Sequence, residues 1–88
     1  ESQQLVGEVI AQLGPQELHI DVKNRFTQQD QLLLLTPGGN YRFSPEAIIN
    51  KQGEAIDVAP GSGHFVRLVI PHSLNAEHAM LVKIHGEP

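Results

Sequence analysis

The segment from Val22 to Phe43 places the strongest constraint on the fold of this 88-residue chain. It contains the apolar run Leu32–Leu35, which is short for a helix, and this run leads through Thr-Pro-Gly-Gly-Asn into a second strand-like segment, Asn40–Ser44. Proline and glycine between two apolar segments favour a tight turn between neighbouring antiparallel strands. The pattern therefore predicts a β-hairpin that is closed by Thr36–Asn40.

The rest of the chain also consists of short apolar segments separated by turns. In Glu17–Lys23 every second residue is apolar, which is typical of a strand with one buried face. Turns that contain glycine or proline separate the other strand-like segments, which are Leu5–Gln12, Ala47–Asn50, Glu54–Ala59, His64–Ile70 and Ala79–His85. We therefore predict an all-β fold, a small antiparallel β-barrel of about six strands.

Two segments carry more specific expectations. Simple alternation places Leu5, Gly7, Val9 and Ala11 on one face of the first strand. The segment that begins at Ser44-Pro45 is also compatible with a single helical turn, because Ser is a good N-cap and Pro is favoured at the first helical position.

The ends and the composition of the chain set expectations about domains and location. The polar start, Glu-Ser-Gln-Gln, predicts a linker remnant over residues 1–4 and one domain of a longer protein over residues 5–86. No apolar run approaches the roughly 18 residues of a membrane helix, and no signal segment is evident. We expect no membrane partner. The absence of cysteine weakly favours a reducing compartment.

Charge and aromatic residues limit the nucleic-acid functions that this chain can have. The net charge of −4 argues against general nucleic-acid binding, and DNA is not expected as a partner. The phenylalanines are expected in the core, which leaves Tyr41 and Arg42 beside the predicted hairpin turn as the best exposed aromatic and basic pair. The candidate contacts to RNA or to another domain are Lys23, Arg25, Tyr41 and Arg42.

No residue pattern predicts a catalytic or metal site. The five histidines lack the spacing of zinc ligands. Ser62 lies near His64 in a flexible loop without the Gly-x-Ser-x-Gly motif, and Gly38-Gly39 is not followed by the Lys-Ser/Thr of a phosphate loop. We therefore assign no catalytic, cofactor-binding or metal-binding residues.

The segment Val22–Phe43 also resembles a known family. Its Val-Lys-Asn-Arg-Phe run, Asp30, the leucine strand and Thr-Pro-Gly-Gly-Asn resemble the C-terminal domain of peptidase family U32. The agreement extends over nearly the whole chain, through Val6-Gly7-Glu8, Gly53-Glu54-Ala55, Val58-Ala59-Pro60-Gly61 and Ala79-Met80-Leu81. The resemblance is closest to the branch with bacterial proteins for prephenate-dependent 5-hydroxylation of tRNA uridine, long called collagenase-like proteases.

The resemblance implies a fold, a function and partners. It implies a barrel similar to domain 2 of translation elongation factors, located after a larger catalytic region. The domain would then be a cytoplasmic, non-catalytic accessory module without a cofactor, which assists wobble-uridine hydroxylation by positioning tRNA or by docking to the catalytic domain of the same chain. The alternative is a structural or protein-interaction barrel of a U32 peptidase.

One turn departs from the family pattern, and the leucine run raises a separate question about its exposed face. The family usually has Gly where this chain has Gln29, so the turn is either rebuilt or holds Gln29 at an unfavourable positive φ. Within Leu32–Leu35, alternation sends two leucines inward and two outward. We take Leu32 and Leu34 as the candidate docking face and keep the reverse assignment open.

Overall fold

The computed structural model describes residues 2–85, which form ten strands and no helix. The strands are β1 (Ser2–Gly14), β2 (Glu17–Val22), β3 (Phe26–Thr27), β4 (Leu32–Thr36), β5 (Gly39–Phe43), β6 (Ala47–Ile49), β7 (Ala55–Ile56), β8 (Val58–Ala59), β9 (His64–Val69) and β10 (Met80–His85). The all-β prediction is confirmed. This described part of the chain therefore holds no helix that could cross a membrane.

Eight of these strands form one antiparallel sheet in the order β5-β4-β10-β1-β2-β9-β6-β7. The long strand β1 lies inside this sheet and pairs with β10 on one side and with β2 on the other. The order ends at β5 and β7, so the closed barrel predicted from the sequence is not found within residues 2–85. The remaining strands, β3 and β8, form a separate two-stranded sheet.

One buried apolar cluster joins the two sheets. Phe26 of β3 and Ala59 of β8 are fully buried in the same cluster as Leu18, Ile20 and other inward residues of the large sheet. No polar or charged residue within the described part of the chain is buried. Burial of apolar surface against the short β3–β8 pair therefore holds the two sheets together.

The hairpin predicted at Thr36–Asn40 is confirmed, and β6 and β7 form a second hairpin. Thr36 pairs with Gly39 across the Pro37-Gly38 turn, and Ile49 pairs with Ala55 across the turn that contains Gly53. The segment predicted as one strand over Glu54–Ala59 is divided, because β7 pairs with β6 whereas β8 leaves the large sheet to pair with β3. The helical turn considered at Ser44-Pro45 is absent, and β6 begins at Ala47.

Strand β1 departs from simple alternation. Its register with β10 shifts between Leu5 and Gly7, and its register with β2 shifts between Val9 and Ala11 and again between Gln12 and Gly14. Each extra residue of a bulge reverses the direction of the side chains that follow. Leu5 is therefore exposed while Val6 and Val9 are fully buried, and the expectation that Leu5 shares a face with Val9 is wrong.

One further expectation is corrected, and one open alternative is decided. Ser2–Gln4 belongs to β1 and pairs with β10, so these residues are part of the folded sheet rather than a linker. Glu1 and residues 86–88 lie outside the described residues. Gln29 has no positive φ, so the turn is rebuilt: Asp30 Oδ2 accepts a hydrogen bond of 2.8 Å from the Thr27 backbone N–H.

Gly7 is required by close packing between β1 and β2. A Cβ atom at this position would lie 2.7 Å from Cγ2 of Ile20 and 3.2 Å from the backbone oxygen of Asp21. We expect Gly7→Ala to lower the free energy of unfolding by about 1–3 kcal/mol, as overpacked core substitutions do. Chemical denaturation measures this change.

Gly14→Ala is the matched control in the same strand. A Cβ atom there would meet its nearest neighbour, Glu17 Cβ, at 3.9 Å, and Gly14 has no positive φ. We expect this variant to be as stable as the parent chain or slightly more stable. Equal losses of stability in both variants would contradict the packing explanation.

Candidate functional site

The face of the large sheet that points away from the core carries an apolar surface on β1, β4 and β10. Leu33, Val82 and Ile84 form a cluster separate from the main core, and Leu35 packs against it. Cross-strand neighbours share a face of a sheet, so Leu5, paired with Val82, and Met80, paired with Leu35, extend this surface. We call it the outer apolar patch: Leu5, Leu33, Leu35, Met80, Val82 and Ile84.

The patch corrects the assignment made for the leucine run. Leu32 and Leu34 are fully buried in the main core, so they cannot form a docking face. The reverse assignment holds, and Leu33 and Leu35 are the outward pair. Alternation within β4 established that one pair points outward, but only contacts with the other strands determine which pair does so.

The predicted basic contacts do not form one site. Lys23 is exposed at the end of β2, where its Nζ lies 3.0 Å from Asp21 Oδ2. Arg25 is exposed in the connection to β3, and its backbone oxygen accepts a hydrogen bond of 3.2 Å from Lys83 Nζ. Arg42 is exposed on β5 opposite Leu33, on the same face as the outer apolar patch.

Tyr41 faces the other way. It pairs with the buried Leu34 and packs against the main core, where its ring stacks on Phe43 at 5.6 Å and meets His72 edge-on at 5.6 Å. The expectation that Tyr41 and Arg42 form an exposed pair is therefore wrong, because neighbouring residues of a strand point to opposite faces. Its hydroxyl is inaccessible to solvent and has no hydrogen-bond partner within the described part of the chain.

A second surface, which was not predicted from the sequence, lies on β2, β9 and the β6–β7 turn. It is an open groove of about 730 Å³, with Phe65, His19 and Leu13 among its lining residues. Phe65 is 43% exposed, although all phenylalanines were expected in the core. The alternation in β9 contained this signal, since buried Val66, Leu68 and Ile70 leave Phe65 on the outward face.

The histidines of the described residues do not form a metal site. No group of three or more His, Cys, Asp or Glu side chains converges within residues 2–85 in a way that could hold a metal ion. At the start of β9, His64 Nδ1 lies 3.2 Å from the backbone oxygen of Gly61 in the preceding loop, so this ring is held by the backbone.

Comparison with known families identifies the chain. The model of the peptidase family U32 C-terminal domain matches residues 1–83. The chain belongs to this family. The resemblance predicted from the sequence is confirmed, and the match covers every strand as far as the middle of β10.

Curated relatives come from two bacteria. The chain is 38% identical over 82 residues to tRNA hydroxylation protein P of Haemophilus influenzae and 40% identical over 81 residues to tRNA hydroxylation protein P of Escherichia coli. Each alignment covers 92% of this chain and 18% of the relative. The chain therefore spans less than a fifth of the length of these two proteins.

Solved structures share the fold. The C-terminal domain of a Geobacillus thermoleovorans protein, described as a candidate U32 peptidase, superimposes with a TM-score of 0.79 over 93% of both chains at 19% identity. Its selenomethionine variant gives a TM-score of 0.75 over 89% of this chain and 96% of that chain, also at 19% identity. At this identity the likeness establishes the U32 C-terminal fold alone.

The environment of Tyr41 predicts a specific alkaline behaviour. Desolvation by burial, and to a smaller extent the negative charge of Glu46, raise the pKa of Tyr41 above its ordinary value of 10.0. Ionisation of Tyr41 is therefore costlier in the folded state than in the unfolded chain, so the stability of the fold is unaffected below pH 10.0 and falls as the pH rises from there through the pKa of the folded state. We expect the parent chain to lose stability in this window and Tyr41→Phe to lose less.

The same substitution tests the unpaired hydroxyl at neutral pH. Tyr41→Phe removes a polar atom that has lost water without gaining a partner, so we expect it to stabilise the fold by up to about 1 kcal/mol. Tyr41 is the one tyrosine of the chain, which also lacks tryptophan, so phenolate absorbance reports its titration directly. An absorbance midpoint at or below the ordinary tyrosine value would contradict this account.

Proposed function

We propose that this chain is the non-catalytic C-terminal domain of a tRNA-hydroxylating protein, and that it supports wobble-uridine hydroxylation by docking to the catalytic part of the same polypeptide. The observation that carries this proposal is the 38–40% identity to tRNA hydroxylation protein P over 92% of the chain. Since the alignments cover only 18% of each relative, the proposal assigns the reaction to the larger remainder. It assigns no cofactor to this domain.

The outer apolar patch supports docking as the role of the domain. Leu5 and Met80 are each 38% exposed, whereas the neighbouring Leu33, Val82 and Ile84, which pack together outside the main core, are only 6–9% exposed, so Leu5 and Met80 supply most of the accessible apolar area. Removing such a surface from water is favourable by about 25 cal/mol for each Å² of apolar area. Patches of this kind on a small domain mark contact surfaces.

The proposed occupant of the patch is the remainder of the same polypeptide. The family is defined as a C-terminal domain, and the curated relatives are several times longer than the matched region. A segment tethered in the same chain has a high effective concentration, so a modest apolar contact is enough to hold it. A likeness to domain 2 of translation elongation factors and a cytoplasmic location belong to this proposal as well.

The surroundings of the basic residues predicted from the sequence argue against tRNA binding by those residues. Docking is therefore the favoured role. Lys23 lies within salt-bridge distance of Asp21, and Lys83, a basic residue outside the predicted set, has its Nζ 3.6 Å from Asp30 Oδ2. Local pairing of this kind reduces the positive potential that attracts phosphates. The net charge of −4 disfavours RNA binding at these residues further.

The proposed role is tested with the full-length protein that carries this domain. Expressed in a bacterial strain that lacks tRNA uridine hydroxylation, it is expected to restore 5-hydroxyuridine derivatives, measured by mass spectrometry of tRNA nucleosides. A version truncated before this domain is expected to restore less. Collagen cleavage by the purified protein without any restored hydroxylation would overturn the proposal in favour of a peptidase.

Docking is tested by placing a charge in the patch. In the full-length protein, Leu5→Lys is expected to weaken the contact, because an ammonium group buried against apolar surface loses its hydration without gaining a partner. We expect limited proteolysis to release the C-terminal domain at least several-fold faster from this variant than from the parent protein.

Leu13→Lys is the matched control for docking. Leu13 is also an exposed leucine of β1, but it lies near the opposite end of the strand and outside the patch. This variant is expected to release the domain at the parental rate. If Leu5→Lys also leaves the rate unchanged, the patch is not the docking surface.

A further inference from the structure

The groove on β2, β9 and the β6–β7 turn combines an exposed aromatic surface with positive charge. Cross-strand register places His19 opposite Arg67, and Phe65 lies two residues from Arg67 on the same face of β9. The rings of His19 and Phe65 are tilted by 55° with centroids 5.7 Å apart. Phe65 thus has a neighbour that holds its ring in place while 43% of the residue remains exposed.

The charged residues that line the groove are cationic. Lys51 and Arg67 line it, and no carboxylate is among its lining residues within the described part of the chain. Arg67 Nη1 donates a hydrogen bond of 2.6 Å to Glu17 Oε2, an ion pair that orients the guanidinium and offsets part of its charge. An arginine has five N–H donors, so this contact leaves others for a ligand. The groove therefore suits an anionic ligand that also carries a flat apolar ring.

The rim of the groove that carries Lys51 is a well-defined turn. Asn50 Oδ1 accepts hydrogen bonds from the backbone N–H groups of Gln52 at 3.0 Å and Glu54 at 2.9 Å. Gly53 has a φ of 84°, a conformation that glycine adopts without strain. Lys51 is therefore exposed on a turn whose backbone is fixed, at the edge of the aromatic surface.

We propose that this groove binds an unpaired base of RNA, which stacks on Phe65 while Lys51 and Arg67 contact the flanking phosphates. Proteins that bind single-stranded nucleic acid combine these two elements, aromatic faces for the bases and cations for the backbone. The choice of RNA rests on the proposed function in tRNA hydroxylation. The groove lies mainly on strands other than those of the outer apolar patch, so a docked domain can still present it.

The test uses the full-length protein and two labelled RNA probes, a hairpin with an unpaired loop and a blunt duplex of equal charge. Fluorescence anisotropy at low and moderate salt gives the dissociation constants. We expect the parent protein to bind the hairpin more tightly, and Phe65→Ala to weaken hairpin binding by about 5- to 100-fold, the range that single stacking contacts span. Phe65→Trp retains a ring and is expected to bind like the parent.

Charge variants distinguish RNA binding in the groove from RNA binding at the basic residues predicted from the sequence. Lys51→Glu is expected to weaken hairpin binding and to lower its salt dependence, because one phosphate contact is lost. Lys23→Glu changes the charge by the same amount outside the groove and is expected to have little effect. Ile10→Ala, which truncates an exposed apolar residue that does not line the groove, is the control for Phe65→Ala.

The outcomes distinguish this inference from the proposed function. If the parent protein restores tRNA hydroxylation but Phe65→Ala and Lys51→Glu bind the hairpin like the parent, the groove inference fails alone. If thermal melting indicates that Phe65→Ala is unfolded, the hairpin affinity of Lys51→Glu, a variant on the exposed turn, decides whether the groove binds RNA. A photoreactive benzoylphenylalanine at position 65 is expected to cross-link to the RNA loop, and cross-linking only to protein overturns the inference.

Discussion

The two-sided pairing of β1 is the constraint on which the rest of the structure depends. This strand lies between β10 and β2, and backbone hydrogen bonds to both neighbours fix the register of the large sheet. Gly7 permits the close approach to Ile20, and register shifts on either side of it bend the strand. The bulges reverse side-chain direction more than once, which explains why β1 contributes to the core and also carries the exposed residues Leu5 and Leu13.

The outward face of the sheet is divided into two chemically different surfaces. On β4, β10 and the first part of β1 it is apolar and suits a contact that excludes water, whereas on β2 and β9 it combines Phe65 with cationic groups. A domain with this arrangement can use one surface for attachment and the other for a ligand. This division is the physical basis of the proposed accessory role.

The sequence predicted the local structure well and the side-chain environments less well. The hairpin at Thr36–Asn40 was predictable because turn residues and flanking apolar segments act over a few positions. Leu32 and Leu34 were assigned to the wrong face because a run of four leucines has no polar residue to mark its outward side. Tyr41 was assigned to the surface, yet its ring lies against Phe43 and His72, and His72 comes from a distant loop.

The sequence by itself determined the all-β class, most strand positions and the family, because these depend on alternation, turn chemistry and motifs that neighbouring residues carry. Only the tertiary structure decided that residues 2–4 belong to the sheet, which leucines face outward, and that His19 lies beside Phe65. Each of these depends on pairing between strands far apart in the chain. Closure of the large sheet would also depend on such a long-range pairing, and within residues 2–85 the strand order ends at β5 and β7.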